Sequence, residues 1–177
     1  MRYAGKSVPS VSFLSPRHFQ YLVLQSCLGA AVVNAAVNGG IAWAQTRALP
    51  MFEIWTVPGV ALDLVVTAFG VTFGTFIAMH LQVRRDVARG KITAPSLSPD
   101  IEAWFARHTA RLPTAFLPQG ALLGLLSIPF CLPLLASLAL CRVGHLERVS
   151  FIELKAGFAA LEGALVTPVI VVGFLLR

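Results

Sequence analysis

Two stretches of this chain run the width of a bilayer without one charged side chain. They are Phe19 to Gln45 and Thr114 to Cys141. As a helix rising about 1.5 Å per residue, each outreaches the roughly 30 Å hydrocarbon core of a membrane. Two more apolar stretches, following Pro58 and Phe151, carry a few ionisable groups. The sequence therefore predicts an all-α membrane protein, a four-transmembrane-helix bundle with spans at about 19–44, 58–83, 114–141 and 151–176.

Composition agrees. Hydrophobic residues make up 56% of the chain and charged residues 12%, against about 25% charged in a typical soluble domain. Four spans and their connections fill residues 1–177, so a single integral membrane domain is expected, without a soluble catalytic domain. The net charge of +6 is explained by topology rather than by nucleic acid. The N-terminal segment, the 84–113 loop and the C-terminus hold ten Lys and Arg, and the remaining segments hold four. The positive-inside rule then puts both termini and that loop in the cytoplasm. A bacterial inner (cytoplasmic) membrane is the expected location. Ala42-Trp43-Ala44 resembles a signal cleavage site, but the uncharged stretch before it is too long for a signal core.

The 84–113 loop has its own pattern. Ser98-Pro99-Asp100 starts a helix, and Ile101, Trp104, Phe105 and His108 share one face beside arginines. This predicts an amphipathic helix on the cytoplasmic surface, with docking of a partner or acidic lipid as the functional alternative. Pro129 and Pro133 predict a bend in the third span, and Thr167-Pro168 one in the fourth. Ionisable groups inside a membrane are costly and usually face protein or water. The second span carries Asp63, and the fourth carries Lys155 and Glu162. Asn34 and Asn38, four apart in the first span, share a face. Gly59, Thr67, Gly70 and Gly74 all fall within roughly 40° of Asp63 on a helix. That stripe is expected to face other helices, with Gly70-x-x-x-Gly74 a candidate close crossing or oligomer interface.

Counting depth along each helix puts Asn38, Asp63 and Lys155 in one layer and Asn34, Thr67 and Glu162 in a second. Two functions follow. In the leading one, Asp63 and Glu162 bind a cation or proton in an outward-facing pocket of a small transporter or channel. Lys155 tunes Asp63, and Asn34, Asn38 and Thr67 complete the site. In the other, the same groups are polar glue: Asp63 pairs with Lys155, and the chain is a non-catalytic accessory or assembly subunit of a larger membrane complex. Expected partners are the lipid bilayer and either a homo-oligomer or another membrane protein.

Other signals are faint. Phe52…Ala61-Leu62-Asp63 and Phe151…Ala160-Leu161-Glu162 share a spacing of eleven, a weak internal echo. His18 and His80 come at matching depth, a possible haem pair, though ordinary interfacial histidines fit better. Cys27, Cys131 and Cys141 have no metal spacing. No motif of a hydrolase, nucleotide-binding fold or metalloprotease is present, so neither enzyme activity nor a cofactor is expected.

Overall fold

The computed structural model describes residues 16–47, 50–93 and 115–175, with isolated positions at 103, 107 and 113. Apart from two of those positions, the surface helix expected within 84–113 lies outside the described residues. Four helices are long and apolar enough to cross a membrane: α1 (His18–Gln45), α2 (Val60–Ala88), α3 (Phe116–Leu140) and α4 (Arg148–Leu175). Two short strands join them, β1 (Met51–Glu53) and β2 (His145–Glu147).

The helix boundaries have local causes. Pro16 opens the helical run that becomes α1, a position where its missing N–H costs nothing. α1 includes a π-helical stretch, Tyr21–Cys27. α2 runs past Arg84 and Arg85 and stops only at Gly90, whose φ is +67°. There the Lys91 N–H donates to the Asp86 carbonyl and the Gly90 N–H to that of Val87, the paired bonds of a Schellman stop. α3 ends the same way at Arg142, whose φ is +53°, with Val143 N–H bonded to the Leu138 carbonyl. Within α3 the α-helix gives way to a 3-10 turn at Ile128–Cys131, where prolines were expected to interrupt it. α4, by contrast, stays helical through Pro168.

α4 is central. It packs along α1 on one side and α2 on another, while α3 lies against α2 and α1 scarcely touches α2. A gap of about 290 Å³ separates α1 from α2, and Gly29, Asn34 and Gly74 are among the residues around it. α2 buries Leu64, Ala68, Val71, Thr75, Met79, Val83 and Asp86, three or four apart as one helical face requires. This face is rotated by roughly 130° from the expected stripe on Asp63. Gly70 and Gly74 are both exposed, Gly74 at the edge of the α1–α2 gap, and a Cβ on either meets nothing within 4 Å among the described residues. The close crossing uses another glycine pair. A Cβ on Gly120 would sit 2.7 Å from the Phe76 ring, and one on Gly124 would sit 2.8 Å from that of Phe69. Phenyl rings of α2 fill the notches that these glycines leave in α3.

β1 and β2 form an antiparallel ribbon with Phe52 opposite Leu146. The ribbon closes one end of the helices. Phe52 stacks on Phe151 at 4.9 Å, and Ile54 is wholly buried. Gly59 brings the chain back onto α2 in a turn so tight that a Cβ would lie 2.3 Å from the Thr56 carbonyl oxygen.

Candidate functional site

The polar groups of the helices meet at three levels. Nearest the ribbon, Asp63 sits in the first turn of α2, where the helix dipole favours a carboxylate. Lys155 Nζ donates to Asp63 Oδ1 at 2.7 Å and to Gln45 Oε1 of α1 at 3.1 Å. The side chains are 4% exposed for Lys155 and 22% for Asp63. Asp63 lies off the helix's buried face, yet from its place in the first turn it still meets Lys155. The expected Asp63–Lys155 pair is present. Asn38 does not join it, because its amide donates to the Asn34 carbonyl one turn back at 3.0 Å.

At the middle level lies Glu162, 1% exposed. Thr72 Oγ1 donates to its Oε1 at 3.0 Å, and Oε2 is buried without a partner among the described residues. Asn34 Nδ2 donates to Thr75 Oγ1 at 3.2 Å, bridging α1 to α2. Gly163 makes this possible, since a Cβ there would clash with the Asn34 amide. Thr67 is buried one turn nearer the ribbon and does not reach Glu162. Its expected role falls to Thr72, five residues further on. Ser127 of α3 lies alongside, with its hydroxyl 2.9 Å from the Ala68 carbonyl and 2.8 Å from that of Gly124.

The third level lies at the far end from the ribbon. Tyr21 OH donates to Asp86 Oδ2 at 2.9 Å, and Lys91 Nζ stands 3.3 Å from Oδ1. Sequence reasoning missed this cluster because Asp86 falls among the arginines of a presumed loop. The signal was there: Asp86 lies seven residues past Met79 and eleven past Thr75, on the same face. The histidines find separate surroundings. His18 Nε2 is 2.8 Å from the Thr93 carbonyl oxygen, while the His80 ring packs against Phe116 at 4.4 Å and Phe174 at 5.0 Å. Among the described residues, no cluster of three His, Cys, Asp or Glu could hold a metal ion.

A groove of about 480 Å³ runs between α3 and α4. Its walls are mainly apolar, from Phe130, Leu134, Phe158 and Leu161 among others, and its acidic members are Glu153 and Glu162. A smaller cavity of about 200 Å³ shares Phe130 and Leu165 with it and continues to Thr72 and Ser127. The two cavities thus flank the Glu162–Thr72 bond. No family model, no curated protein and no solved structure matches this chain.

Asp63 and Asp86 each face an ammonium group, so both read as neutralised pairs. Glu162 does not. A buried carboxyl with one free oxygen beside a cavity can hold a proton, accept a hydrogen bond or meet a cation. Of the six residues expected to form a site, Asp63 and Lys155 come together, Asn34 and Asn38 serve the α1 seam, Thr67 is buried in the packing, and Glu162 stands apart from these.

Proposed function

We propose that the chain is an integral membrane protein of transporter or channel type, with Glu162 as its proton- or cation-binding group. One observation carries this reading: a carboxyl in the middle of a long apolar helix, with Thr72 donating to one oxygen and the other buried without a hydrogen-bond partner among the described residues, beside a cavity. The approach is lateral, along the α3–α4 groove, instead of the outward pocket that the sequence suggested. Asp63, Lys155, Asn34 and Asn38 act as framework, and Thr67 as packing. The membrane is a bacterial inner membrane, with the termini and the 84–113 loop in the cytoplasm and the ribbon outside. Gly70 and Gly74, both exposed and with room for a Cβ among the described residues, are the surface for a homo-oligomer.

Infrared difference spectroscopy across a pH titration tests the role of Glu162. A carboxyl band that responds between about pH 5 and 9 and is missing in Glu162→Gln supports the reading. A band that never changes, with Glu162→Gln as stable as the wild type, refutes it. A second reading has its own support. Pairing within the chain at all three levels, and apolar side chains such as Val32, Val66 and Leu126 exposed on the outer faces, suit an accessory subunit held in a larger membrane complex. That reading predicts an inert Glu162.

A further inference from the structure

We infer that the groove between α3 and α4 binds a lipid-soluble organic cation, a protonated amine or a quaternary onium group carried on an apolar body. The inference rests on Glu162 being the binding carboxyl proposed above, and it names the ligand class. The volume of about 480 Å³ is that of a site for a drug-sized molecule, which is typically apolar with a few polar groups to orient the ligand. The polarity here has one sign. Glu153 and Glu162 lie nine residues apart along the same groove, and none of its described lining residues is Lys or Arg. Lys155, the basic residue in the body of α4, is already held by Asp63 and Gln45. Phe130 and Phe158 add aromatic rings to the walls, and ring faces attract onium groups where water is excluded.

Each part has a role in selection. The apolar walls favour molecules that partition into lipid. The carboxyls disfavour anions of the same size by like-charge repulsion. Gly157, exposed on the groove side of α4, keeps the floor open, and a Cβ there meets nothing within 4 Å. One adjustment accompanies binding. Glu162 lies behind the wall in its bond to Thr72, and a rotamer change turns its carboxyl toward the ligand.

The test uses the full chain in neutral-lipid nanodiscs, with radiolabelled tetraphenylphosphonium in equilibrium dialysis and empty nanodiscs subtracted. Tetraphenylborate, equal in size and opposite in charge, is the control. Expected is saturable binding of the cation, weakened at least about tenfold by Glu162→Gln and by Gly157→Leu, which fills the groove. Saturable tetraphenylborate binding of equal strength overturns the inference. So does cation binding that both variants leave unchanged. If Glu162→Gln fails to yield a monodisperse helical protein, Gly157→Leu decides alone. Absence of saturable cation binding, with the Glu162 infrared band still titrating, sinks the ligand class and leaves the proton reading standing. An infrared band that does not titrate sinks both.

Discussion

Arg142 holds a backbone conformation that glycine adopts without cost. Its φ of +53° places Cβ against its own carbonyl, a penalty of about 1 kcal/mol for a non-glycine residue. The side chain is exposed, so little contact offsets it. Arg142→Gly is therefore expected to stabilise the protein by about 0.5–1 kcal/mol, read as a higher Tm in detergent. The ion pair near the ribbon makes the opposite case. Removing one partner strands a charge that is already out of water, at a cost of about 3–5 kcal/mol. Removing both leaves nothing stranded. Lys155→Met and Asp63→Leu should each destabilise strongly, while the double variant should lie close to wild type. A double-mutant cycle by thermal melting measures this. If the two single costs simply add, the pair does not act as a unit and Asp63 draws its stability from elsewhere.

At the scale of elements, the helices were legible and their faces were not. Hydropathy located all four to within a few residues, because an uncharged run of that length has few alternatives. The end of α2 was misplaced at Val83, since charged side chains look like loop. Arg84 and Arg85 simply project outward, and the true stop was Gly90. The ribbon was invisible, because three-residue strands carry no usable period. The facing of α2 failed for a more instructive reason. Asp63 is the conspicuous residue, but a first-turn carboxylate can reach its partner from off the buried face, so it does not mark the buried side. The period of Leu64, Val71, Thr75 and Met79 does. Depth counting brings Thr67 level with Glu162, but counting residues inward cannot fix the stagger between two helices, which packing sets, and the contact falls to Thr72. The glycines sharpen this point. Gly124→Leu must push α3 away from Phe69, and overpacking of this kind costs about 1–3 kcal/mol or more. Gly70→Leu and Gly74→Leu find no described atom within 4 Å of the new Cβ, and since each replaces a helix-interior glycine they should not lower the monomer's melting. If the exposed pair is the oligomer surface, those two variants alone should lower the mass found by light scattering.

At the scale of the molecule, the flattened arrangement leaves α1 and α3 as flanking helices, each supported mainly along one side. Much of their apolar surface therefore meets whatever surrounds the protein, which is compatible with the proposed membrane location. The polar seams instead run between α1, α2 and α4, where each level joins two or three helices. The cysteines report on this arrangement without any substitution. Cys131 is wholly buried in α3. Cys27 lies part-way along α1, within the apolar stretch. Cys141 is exposed at the end of α3, just before the ribbon. On the proposed topology, which puts the ribbon outside the cell, a membrane-impermeant maleimide added to intact spheroplasts should label Cys141 and leave the other two unmodified until the protein is denatured. Cys141→Ser should abolish that labelling. Labelling of Cys141 only after the membrane is broken would invert the topology and place the 84–113 basic segment outside, against the charge bias that orients such chains. Labelling of Cys131 in intact cells would mean that water reaches the α2–α3 interface beside Ser127. The cavities flanking Glu162 would then be an aqueous path, and the lateral, lipid-side approach would lose its basis.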